Sequence, residues 1–151
     1  MKRIPAAAVL LAALASACGG GDDEALSKPE YIKQANAICA DFNKQIATAA
    51  EKEFAGVETE ADLTPDKARG FMEAALPKFE STIEKLRELA PPEGDAEAVD
   101  RIYAAGDMES EKIASSLDSD DEVVALVASS EVTPQFQKQS MAYGLDTCAG
   151  N

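Results

Sequence analysis

Apolar residues recur at intervals of three and four along most of the chain after residue 27, which is the spacing of one face of a helix. The first such stripe comprises Ile32, Ala35, Cys39, Phe42, Ile46 and Ala49. Ser27 and Glu30 have the spacing of a capping box, and Pro29 is tolerated in a first turn. The pattern therefore predicts one helix that begins after Ser27, ends at Gly56 and carries Cys39 on its inward face.

A second apolar stripe follows the cap-then-proline start Thr64-Pro65. It comprises Ala68, Phe71, Ala75, Phe79, Ile83, Leu86 and Leu89. Pro77 lies inside this stripe and lacks the amide that would bond the carbonyl of residue 73. The sequence predicts a kink at Pro77 or two abutting helices.

The Ala-Pro-Pro-Glu-Gly stretch at 90–94 is a clear break, and Asp95 is positioned to cap a third helix. The buried stripe of that helix comprises Val99, Ile102, Tyr103, Gly106, Ile113 and Leu117. An acidic turn over 118–122 then precedes a short apolar helix from Glu122 to Ala128.

The last helix is predicted to start at Thr133-Pro134 and to stop at Gly144, with Leu145 placed to fold back onto its final turn. No segment alternates apolar and polar residues with β-branched enrichment, so strands are not expected. The fold class predicted for residues 27–151 is all-α, a small antiparallel bundle of four to five helices closed by one disulfide.

Residues 1–17 have the order of a secretory signal: Lys2 and Arg3, an apolar run and then small residues. The run is shorter than the ~20 residues of a membrane-spanning helix. Leu-Ala-Ser-Ala-Cys at 14–18 resembles a bacterial lipobox, although Ala15 stands where leucine is commonest. The resemblance implies cleavage before Cys18 and a diacylglyceryl group on its sulfur. Residues 18–26 would then form a lipidated, flexible tether. The alternative is a secreted protein cut near Ala17 that retains a reactive thiol.

Charge restricts the partners of such a protein. Without Lys2 and Arg3 the chain keeps 12 basic and 28 acidic residues, a formal net charge of −16. This charge repels phosphate backbones and anionic head groups, so we expect no nucleic-acid partner. Two acyl chains on Cys18 would hold the protein durably at the outer face of the cell membrane.

Cys39 and Cys148 remain once Cys18 is assigned to lipid. An exported protein with two remaining cysteines favours one disulfide from the first helix to the C-terminal end. The alternative is two buried free cysteines, which behave as small hydrophobic residues.

Three stretches, YIKQANAIC at 31–39, LRELAPPEGD at 86–95 and YGLDTC at 143–148, resemble small helical lipoproteins common in actinobacteria. The resemblance spans nearly all of the chain after the leader. It implies lipidation, an all-helical domain and a Cys39–Cys148 bridge. It does not identify catalytic residues or an activity.

The sequence contains no histidine, which removes Ser-His-Asp and Cys-His nucleophilic sites and the usual zinc ligands. We expect no catalytic residues, no metal site and no cofactor. The acidic run 118–122 has oxygen ligands suited to calcium, but Val123 and Ser129 stand where an EF-hand needs Gly and Glu. A helix-capping turn is the favoured interpretation, and weak cation binding stays open.

Tyr31, Tyr103 and Tyr143 each lie at or beside an apolar stripe and are interpreted as core residues. Small residues at Ala68, Ala75 and Gly106 indicate either close helix packing or, with a kink at Pro77, an interhelical cavity. The leading hypothesis is a non-enzymatic, membrane-anchored binding or interaction module with an extracytoplasmic protein partner. A carrier of a small apolar ligand is the alternative, and a carboxylate enzyme is a distant third.

Overall fold

The computed structural model describes residues 25–150. This part of the chain folds into five α-helices and one short 3₁₀ helix, and it contains no β-strand. The helices are α1 (Lys28–Glu53), α2 (Pro65–Arg87), α3 (Ala96–Ser116), α4 (Asp120–Ala128) and α5 (Pro134–Tyr143), and the 3₁₀ helix spans Glu60–Asp62. The prediction of an all-α bundle is confirmed.

Helix α2 lies at the centre of the bundle and packs against α1, α3 and α4, while α5 packs on α3. The predicted stripes supply the core, in which Phe79, Ile83, Leu86 and Ile102 are almost completely buried. Helices α1 and α2 run antiparallel, since Leu26 bonds to Ala90 at one end and Lys67 to Ala55 at the other. The helix faces that meet in the core are therefore the ones that carry the predicted apolar stripes.

The start signals are confirmed in part. The Glu30 carboxylate accepts from the Ser27 amide and hydroxyl, which lowers the pKa of Glu30. The Thr64 hydroxyl accepts from the Lys67 amide at 3.4 Å, as expected of a cap. Helix α4 begins at Asp120, so part of the predicted acidic turn is its first turn, where carboxylates face the positive end of the helix dipole.

Two predicted caps are wrong in chemistry although the helices begin where expected. The Asp95 carboxylate makes no cap bond to α3; it accepts from Tyr143 Oη at 2.8 Å and pairs with Lys28 Nζ at 3.1 Å. These partners, Tyr143 first, lower the pKa of Asp95. The Thr133 side chain likewise makes no cap bond to α5, whose first amides bond to Glu109 instead. In both places a contact with another helix replaces the local one.

Helix α2 continues without a break through Pro77, so the alternative of two abutting helices is wrong. Pro77 and Glu73 both lie on the exposed face. The Glu73 carbonyl receives no hydrogen bond from position 77, because proline has no N–H. Since this face is exposed, water can bond to the carbonyl instead. Buried Ala75 and Phe79 on either side hold the helix against its neighbours.

The three tyrosines form one buried group, as interpreted from their positions. Tyr103 Oη donates to the Leu86 carbonyl at 2.6 Å, and the Tyr31 and Tyr103 hydroxyls are 2.9 Å apart. Because the Tyr103 proton is used, Tyr31 donates to Tyr103. The Tyr31 and Tyr143 rings meet edge to face at 5.8 Å. Burial raises the pKa of all three phenols.

Cys39 and Cys148 form the predicted disulfide, with sulfurs 2.00 Å apart and Cα atoms 5.0 Å apart. Gly144 has a φ of +99°, which allows the chain to turn sharply after α5. The Leu145 amide then bonds to the Ser140 carbonyl at 2.8 Å, and the Leu145 side chain is fully buried, as predicted. The bridge fastens this returning segment to α1.

Candidate functional site

An apolar groove lies between α1, α2 and the start of α5, and we call it the central groove. Its volume is about 220 Å³. The apolar lining comprises Phe42, Ile46, Phe71, Ala75, Phe79, Ile113 and Val132. The other lining residues, Asn43, Ser130, Thr133 and Gln137, are polar and uncharged. The central groove therefore suits an apolar group and offers no charged partner.

The aromatic side chains of the central groove are held by other aromatic rings. The Phe42 and Phe79 centroids are 5.8 Å apart, and Phe136 meets Phe79 edge to face at 5.3 Å. Such pairs contribute about 0.5–1.5 kcal/mol beyond the area that they bury. The floor of the groove is thus part of the hydrophobic core and is formed before any ligand binds.

The C-terminal segment fixes one edge of the central groove. Asn43 Nδ2 donates to the Thr147 carbonyl at 3.1 Å, and the Thr147 amide donates to Asn36 Oδ1 at 3.1 Å. The two asparagines are seven residues apart, so they lie on the same face of α1. They bond the amide and the carbonyl of Thr147 to this helix, next to the Cys39–Cys148 disulfide.

Glu109 on α3 fixes the opposite edge, where α5 begins. The residue is 3% exposed, and its carboxylate accepts from the amides of Gln135 at 2.6 Å and Phe136 at 3.1 Å. These amides belong to the first turn of α5, so Glu109 supplies the cap that Thr133 does not. Burial raises the pKa of Glu109 in spite of the two hydrogen bonds.

The connection between α4 and α5 lines part of the central groove. Ser130 lies in this connection with a φ of +56°, a left-handed conformation that costs a non-glycine residue about 1 kcal/mol. The turn is closed by the Ser130 amide, which donates to the Val127 carbonyl at 3.2 Å. The backbone is therefore held in place beside the groove.

Of the three small residues that indicated a cavity, only Ala75 lines the central groove. Ala68 is fully buried. A Cβ added at Gly106 would lie 2.5 Å from Ile83 Cδ1, with Phe136 also in contact, so this glycine serves close helix packing. Ala75 therefore fits the cavity hypothesis, and Gly106 fits the packing hypothesis.

The remaining predicted features lie elsewhere. Cys18, the predicted lipid attachment residue, and the leader fall outside residues 25–150. Within that range no helix is long and apolar enough to cross a bilayer. The acidic run includes the Ser119 cap of α4, whose hydroxyl accepts from the Glu122 amide. No cluster of three metal-ligating side chains occurs among the described residues.

The sequence interpretation missed Glu109 and Asn43. Glu109 interrupts the α3 stripe between Gly106 and Ile113, at the spacing of a buried position. A carboxylate at such a position needs hydrogen-bond donors, so the pattern contained a usable signal. Asn43 follows Phe42 on α1 and offers no comparable signal, because its partner is a backbone carbonyl 104 residues away.

No protein-family model matches the chain, no curated protein is significantly similar to it, and no solved structure matches it, so the resemblance to actinobacterial lipoproteins rests on the three motifs alone.

Proposed function

We propose that this protein is an extracytoplasmic lipoprotein, anchored to the outer face of the cell membrane through Cys18, whose helical domain binds a ligand without chemical conversion. The signal-like leader, the lipobox-like motif and the glycine-rich stretch after Cys18 support the anchor. The disulfide of the described domain is compatible with an oxidising compartment outside the cytoplasm. The relation to actinobacterial lipoproteins belongs to the same proposal.

The central groove is the observation that carries the binding activity. It is a concave apolar surface with polar groups at its rim, which is the usual form of a small-molecule site. It favours the small-ligand carrier over a module that docks only proteins. No residue in its lining ionises near neutral pH, so its contacts would supply burial and hydrogen bonds and no acid–base chemistry.

The anchor predicts a lipidated N-terminus in the mature protein. When the full chain is produced in a lipoprotein-processing bacterium, mass spectrometry is expected to find cleavage before Cys18 and a diacylglyceryl mass on its sulfur. A Cys18→Ser variant is expected to leave the membrane fraction for the medium. Recovery of the unmodified wild-type domain in the medium, with no acyl mass on Cys18, would reject the anchor.

The groove predicts a bound molecule that depends on its free volume. Native mass spectra of the exported Cys18→Ser protein are expected to show an excess mass that disappears on denaturation. Ala75→Leu places a larger side chain into the central groove and should remove this excess mass.

Ala104→Leu is the control, since Ala104 is exposed on α3 and does not line the central groove. It should retain the excess mass. A bare native mass for the unsubstituted groove, or equal loss in both alanine variants, would argue against the carrier.

A further inference from the structure

A second groove lies near the C-terminal end of α1, and we call it the end groove. Its volume is about 390 Å³. Half-buried Phe54, Val57, Leu63 and Val127 form its apolar walls. Glu58 and Glu60 also line it, and both are exposed.

The two grooves meet at the connection between α4 and α5. Ser130 lines both of them. Phe54 of the end groove and Phe71 of the central groove are in ring contact, with centroids 4.8 Å apart. Along α1 the distance from Phe42 to Phe54 is about 18 Å, from the rise of an α-helix. The two grooves are therefore neighbours along α1, and we call the combined feature the furrow.

The two ends of the furrow differ in charge. The central groove is uncharged, whereas the end groove has carboxylates at Glu58 and Glu60. The neighbouring Asp62 carboxylate is engaged by Thr59, whose hydroxyl and amide donate at 2.8 Å and 2.9 Å. The Lys67 ammonium, whose charge acts on Asp62, is bound to the Ala55 carbonyl at 2.8 Å. Negative charge therefore predominates at the open end.

We propose that the furrow binds a single-chain amphiphile, with its linear hydrocarbon chain in the central groove and a cationic head group beside Glu58 and Glu60. A pair of neighbouring apolar grooves that extends for about 18 Å along α1 suits an extended hydrocarbon chain better than a compact ring system. An anionic head group would be repelled by both glutamates, and a neutral one would gain no electrostatic attraction. This inference rests on the proposed function, since it names the ligand class of the same site.

The test uses probes that share a dodecyl chain and differ in the head group. Dodecyltrimethylammonium, dodecyl maltoside and dodecyl sulfate are titrated into the exported Cys18→Ser protein by calorimetry, at low ionic strength and below micelle-forming concentrations. The cationic probe is expected to bind about tenfold more tightly than the neutral one, and the anionic probe more weakly still. Tetramethylammonium, which lacks the chain, should not bind measurably.

Two double variants separate the furrow from the general acidity of the surface. Glu58→Gln with Glu60→Gln should bring the cationic and neutral affinities within about twofold of each other. Glu84→Gln with Glu93→Gln removes the same charge at the far end of α2, from side chains that are exposed. This control should keep the full preference for the cation.

The outcomes distinguish the inference from the function on which it rests. Equal affinities for the three head groups, all lost in Ala75→Leu, would overturn the cationic amphiphile and leave the carrier standing. An equal loss of cation preference in the two double variants would also overturn it, because the surface as a whole would then be responsible. Failure of every dodecyl probe to bind would overturn the amphiphile, whereas a bare native mass would overturn the carrier itself.

Discussion

Reduction of the Cys39–Cys148 disulfide is expected to lower the free energy of unfolding by roughly 4 to 5 kcal/mol, since the bridge joins residues 109 positions apart. In the chain-entropy model, a cross-link over such a long segment strongly restricts the unfolded state. For a domain of this size the midpoint of thermal unfolding should fall by roughly 10–20 °C. Circular dichroism with and without reductant measures the shift.

The control is Cys39→Ala with Cys148→Ala, whose thermal midpoint should not respond to reductant. Hydrogen exchange should locate the loosening in the C-terminal segment, where the Thr147 amide bonds to Asn36. An unchanged midpoint on reduction, together with alkylation of both thiols in untreated protein, would contradict the prediction.

Replacement of Glu109 by alanine is expected to destabilise the fold by about 2–4 kcal/mol. The change leaves the amides of Gln135 and Phe136 without their acceptor, in a partly buried place. Glu111→Ala, on the exposed side of the same helix, should change stability by less than about 0.5 kcal/mol. Chemical denaturation at neutral pH compares the two variants with the parent protein.

The dependence on pH gives a second measurement on Glu109. Burial raises the pKa of its carboxyl in the folded state above the ordinary 4.5. The folded state therefore favours the protonated form, and the resulting stabilisation is complete below pH 4.5 and is lost as the pH rises through the folded pKa. Glu109→Gln removes this titration.

The stability of the parent protein relative to Glu109→Gln is accordingly expected to increase as the pH falls from 7 toward 4.5. The contributions of Asp95 and Asp62 to stability decrease as the pH falls, because hydrogen bonds lower the pKa of both carboxyls. Their contributions cancel when the two proteins are compared. A difference between them that is constant with pH, or that grows with rising pH, would show that Glu109 is ionised at least as readily as in the unfolded chain.

The sequence by itself determined the helices and the faces that they bury. Apolar spacing and local signals such as Ser27 with Glu30, Thr64 with Pro65, and Gly144 act within a few residues, so they can be recognised without knowing the fold. The pairing of Cys39 with Cys148 could also be predicted, because few cysteines are available. The lipid anchor at Cys18 is a prediction of the sequence alone, and it lies outside the described residues.

Only the tertiary structure decided which partners the polar side chains take and where space remains between the helices. Asp95 bonds to Tyr143 instead of capping α3, and Glu109 caps α5 from a neighbouring helix. Each side chain could form either a local hydrogen bond or one across the bundle. The bond across the bundle can be predicted only when the packed positions of both helices are known. The furrow has the same origin. Its walls come from all five α-helices and from the α1–α2 and α4–α5 connections. Free volume between helices depends on how closely they pack, which hydrophobic periodicity does not specify.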